Sequence, residues 1–71
     1  VSNSYAKLFD IIKSKLKENN IIGTVRLIRQ HKGYHPGITV ERLETFVKQN
    51  RENGWDIEHI TGEIIQQYFK E

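Results

Sequence analysis

The chain has 71 residues, a formal net charge of +2, 37 % hydrophobic residues and no cysteine. One small domain over 1–71 is expected, stable by roughly 3–5 kcal/mol, with disulfides and thiolate metal sites excluded. Apolar runs never exceed two residues, which excludes a transmembrane helix and a signal-peptide core. The lack of cysteine fits an intracellular setting, cytoplasmic or nuclear. Methionine is absent even at position 1, so a domain excised or processed from a longer chain is expected.

Taken in chain order, Tyr5, Leu8, Phe9, Ile12 and Leu16 share one helical face, with Ile11 widening it. This predicts a helix over 4–17, capped by Ser4 and ended by Glu18-Asn19-Asn20. Lysines late in it suit its negative pole. Ile21, Ile22, Val25 and Ile28 predict a second helix to about His31. Gly23 and the β-branched residues weaken it, and a short strand near 24–28 is the alternative.

The stretch 31–37 reads as a loop, with Gly33 closing the second helix and Pro36 holding His35 out of helical geometry. Thr39 is a natural N-cap for a third helix faced by Val40, Leu43, Phe46 and Val47, with Ile38 and Leu43 placed as a hydrophobic staple. Asn53-Gly54 is a stop signal. Asp56 should cap a fourth helix whose stripe is Ile57, Ile60, Ile64, Ile65, Tyr68 and Phe69. Trp55 is placed to plug the gap between helices three and four. Gly62 either permits a close crossing or is tolerated at about 1 kcal/mol. The expected fold class is all-α, a compact bundle of about four short amphipathic helices. The strand at 24–28 would instead give a winged-helix-like arrangement.

Charge is unevenly spread. Residues 1–36 carry seven Lys/Arg against Asp10 and Glu18, a balance of +5, and residues 37–71 balance at −3. Either the first half faces a polyanion or the halves attract each other across the bundle. Lys13, Lys17, Arg26, Arg29, Lys32, Tyr34 and His35 are the candidate nucleic-acid contacts. Their cations would neutralise phosphates and their rings would stack on bases.

No catalytic site, cofactor motif or metal site is expected. His31 and His35 have the i, i+4 spacing of helical metal ligands, but Gly33 and Pro36 argue against a helix through both. The serines have no partnered base, and the 33–37 loop lacks the Gly-Lys-Ser/Thr ending of a phosphate loop.

The order of elements from Val25 onward matches a generic helix-turn-helix without carrying a family motif. Its would-be recognition helix begins Asp56-Ile57-Glu58-His59 and would enter the major groove acidic. Two readings remain. The first is a non-enzymatic nucleic-acid-binding helical module with a regulatory or accessory role. The second is a protein-interaction domain, an adaptor or docking unit, with Tyr34 and Trp55 as anchors. No membrane partner is expected. Pairing of the +5 and −3 halves would make a homo-oligomer.

Overall fold

A computed structural model describes the backbone of residues 3–32 and 37–69, and the side chains of 6–31 and 37–69. These residues form four helices and no strand: α1 (Asn3–Lys17), α2 (Ile21–Lys32), α3 (Val40–Glu52) and α4 (Ile57–Tyr68). The winged alternative is thereby removed, because 24–28 lie inside α2. α1 starts at Asn3, so Ser4 lies within the first turn rather than before it. α2 runs through His31 and Lys32, so the loop begins later than the sequence suggested. The readings on Gly33, Pro36 and the ring of Tyr5 lie outside the described residues.

Each helix packs against its neighbours in a closed circuit, most extensively α1 on α4. Lys13 of α1 meets Glu58 at the start of α4, so these two run antiparallel. His31 and Phe69, near the ends of α2 and α4, meet edge to face at 5.9 Å, so α2 and α4 end on the same side. The bundle is therefore up-down-up-down, as short links demand.

The core takes Leu8, Ile12 and Leu16 from α1 and Ile21, Val25 and Ile28 from α2. Ile38 and Leu43 join from the third helix and its lead-in, and Ile60, Ile64, Ile65 and Phe69 from α4 and its end. Three expected core residues stay outside: Ile11 is 43 % exposed, Ile22 55 % and Val40 37 %. Ile11 and Ile22 each adjoin a buried isoleucine, and one residue along a helix is a turn of about 100°. Val40 opens α3 at the margin of the core. Thr24 and Thr61 take core positions instead, both with no exposed surface. Each hydroxyl donates to the carbonyl four residues earlier, Thr24 to Asn20 at 3.0 Å and Thr61 to Ile57 at 2.7 Å. Burial then leaves no unmet donor.

The helix ends explain the corners. Asn19 adopts φ 58°, Asn20 N–H donates to the Lys15 carbonyl at 2.7 Å, and Asn19 N–H donates to Leu16 at 3.0 Å. That pattern is a Schellman stop. It recurs after α3, where Gly54 has φ 93°, Trp55 N–H donates to Asn50 at 2.9 Å and Gly54 N–H to Arg51 at 3.0 Å. Asn20 Oδ1 accepts from Gly23 N–H at 2.9 Å and so caps α2. Thr39 and Asp56 cap α3 and α4 as expected, accepting from Arg42 N–H at 3.1 Å and His59 N–H at 2.8 Å. Ile38 and Leu43, the staple pair, are both buried.

Candidate nucleic-acid interface

Of the seven residues singled out by sequence, the four whose side chains are described, Lys13, Lys17, Arg26 and Arg29, do not gather in one place. Lys13 belongs to the α1–α4 seam. Its Nζ lies 3.4 Å from Glu58 Oε2 and 5.7 Å from the centre of the Phe9 ring. The pair links one residue of the basic half to one of the acidic half. Glu58 is largely exposed, so the pair stabilises the fold by at most ~1 kcal/mol. Arg29 turns back toward its own chain: its Nη2 donates to the Ile38 carbonyl at 3.0 Å and ties the lead-in of α3 onto α2. Of Lys32 only the backbone is described, and Tyr34 and His35 lie outside the described residues.

Lys17 and Arg26 do reach open surface, on either side of the α1–α2 corner. Lys15 and Lys17 are two residues apart, about 200° around α1, and so serve opposite flanks. On one flank, Lys15 and Arg26 border a hollow of about 330 Å³ with Asn20, Ile22, Leu27 and Gln30. On the other, Lys17 borders a larger groove of about 730 Å³ with Lys48 and Arg51 of α3. Glu44, Thr45 and Asn19 complete its polar rim, and Leu16, Ile21, Val47 and Ile57 form its floor. Three cations thus face one carboxylate. Arg51 Nη1 also reaches the Trp55 carbonyl, at 3.5 Å, which holds the guanidinium near the groove's end.

Lys48 and Arg51 lie in the acidic half of the chain, so charge balance along the sequence does not point to them. The signal was present: Glu44, Lys48 and Arg51 stand at i, i+4 and i+7, one face of α3. Trp55 takes the place expected of it. It is half-buried, edge-on to Phe46 of α3 at 6.3 Å and stacked on His59 of α4 at 3.9 Å with the rings 2° from parallel.

Among the described residues, no group of three or more His, Cys, Asp or Glu is placed to hold a metal ion, and no helix is long and apolar enough to cross a membrane. No family model, no curated protein and no solved structure matches the chain.

Proposed function

We propose that this domain is a non-enzymatic nucleic-acid-binding module that contacts phosphates with the two flanks of its α1–α2 corner. The observation that carries the reading is the groove lined by Lys17, Lys48 and Arg51 with a single carboxylate, Glu44. Lys15 and Arg26 add two cations on the far flank. Lysine and arginine neutralise phosphates and release counterions, which makes such binding steeply dependent on salt. Asn19 and Thr45 at the rim supply neutral hydrogen-bonding groups, and these also commonly meet phosphate and sugar oxygens.

The test is fluorescence anisotropy with labelled single- and double-stranded oligonucleotides. Micromolar binding is expected at low salt, falling on the order of 100-fold between about 50 and 200 mM for four phosphate contacts. Lys48→Glu with Arg51→Glu should abolish it, and Arg26→Glu should weaken it less. No binding at low salt ends the proposal.

The apolar floor under the cations favours a second reading, a docking domain for an acidic amphipathic segment of another protein. It predicts that the same charge reversals leave nucleic-acid titrations flat, because there is nothing for them to remove.

A further inference from the structure

The exposed face of α3 separates two depressions. Lys48 and Arg51 line the cationic groove, Arg42, Phe46 and Gln49 line the other, and Thr45 lines both. The second is a cleft of about 480 Å³ between α3 and α4, whose mutual packing is the sparsest in the circuit of neighbouring helices. From α4 it receives Gln67 and Tyr68. Phe46 and Tyr68, partly buried against the core, line the cleft beside the exposed carboxamides of Gln49 and Gln67. The charges of Arg42 and its neighbour Glu41 offset each other at the rim, so the cleft itself is near neutral.

We infer that this cleft takes an unpaired nucleobase, which makes the module selective for single-stranded nucleic acid. The inference rests on the phosphate-binding reading above and deepens it. A neutral cleft does not draw phosphate, but its contents suit a base: rings stack on any π-face, and a carboxamide presents a donor beside an acceptor, as base edges do. The groove and the cleft flank α3 and share Thr45, and the helix with its side chains is about 10–12 Å across, so a single strand that leaves the groove over α3 brings a later base to the cleft. In a duplex those bases are paired and stacked within the helix and cannot enter.

The experiment compares three labelled probes on the intact chain by anisotropy: a thymidine oligomer, an abasic oligomer of equal length and phosphate count, and a duplex. The thymidine strand should bind at least about fivefold tighter than the abasic one. Gln67→Ala should shrink that ratio and Tyr68→Leu should bring it near one, both with abasic affinity unchanged. Should Tyr68→Leu not fold, Gln67→Ala, at an exposed site, carries the test. Lys48→Glu with Arg51→Glu should weaken both strands alike. Equal affinity of the unmodified chain for the two strands overturns the inference and leaves the phosphate reading standing. Failure to bind either strand overturns the phosphate reading, and this inference with it.

Discussion

The α1–α2 corner and the α3–α4 corner close with the same pair of backbone hydrogen bonds, yet they are built from different residues. At the first, Asn19 takes the left-handed position and Asn20 both completes the stop of α1 and caps α2. At the second, Gly54 takes the left-handed position, Trp55 completes the stop and Asp56 separately caps α4. Merging two tasks in one asparagine shortens the link and keeps it polar. Dividing them leaves room for an aromatic side chain that packs on both flanking helices. One corner is therefore a structural plug. The other is a hydrophilic ridge flanked by cations, and the proposed binding surface runs from it to Lys48 and Arg51 of α3.

If that division is right, removing the plug has the largest effect. Trp55→Ala should cost about 2 kcal/mol, less than a fully buried tryptophan because the ring is only partly buried. Unfolding in urea followed by far-UV circular dichroism measures it, since the chain has one tryptophan and its fluorescence goes with it. Asn20→Ala, the corresponding position at the other corner, should cost about 1 kcal/mol through the lost cap. Equal losses at the two positions would erase the distinction between plug and ridge.

The left-handed positions come next. Nothing lies within 4 Å of a Cβ built on Gly54, so Gly54→Ala is penalised by backbone conformation alone, at about 1 kcal/mol. Asparagine tolerates that region better than other non-glycine residues, so Asn19→Gly should gain only a few tenths of a kcal/mol. A loss at Asn19→Gly would mean that the Asn19 side chain contributes to the corner beyond its φ angle.

The helices were legible in the sequence because apolar periodicity and cap chemistry agreed: Thr39, Asp56 and Asn53-Gly54 stand where their local chemistry placed them. The exact width of each stripe was not. Ile11 and Ile22 belong to it by hydropathy, whereas Thr24 and Thr61 belong to the core only because a helical carbonyl satisfies each hydroxyl. The candidate interface was the least legible. Linear charge balance does not distinguish faces, so Lys13 and Arg29 were grouped with Lys17 although packing turns them toward Glu58 and Ile38. Lys48 and Arg51 of α3 line the same groove as Lys17, a juxtaposition that linear charge balance does not show.

Gly23 in α2 and Gly62 in α4 give the finest test of the corner comparison. Gly62 is far from either stop and a Cβ there meets nothing within 4 Å. Gly62→Ala should therefore stabilise the fold by roughly 0.5–1 kcal/mol, the ordinary helix preference of alanine over glycine. Gly23 has the same intrinsic preference against it, but its missing Cβ is where Asn20 sits: an added methyl carbon would lie 2.5 Å from the Asn20 amide nitrogen. Gly23→Ala gains the helix propensity and displaces the cap, two terms of about 1 kcal/mol and opposite sign, so the net change should be near zero. In an Asn20→Ala background the cap is already gone, and Gly23→Ala should then recover the full gain seen at Gly62. A gain at Gly23 that is the same in both backgrounds would show that Asn20 does not depend on the glycine, and the merged corner would lose its reason for placing a glycine in the first turn of α2.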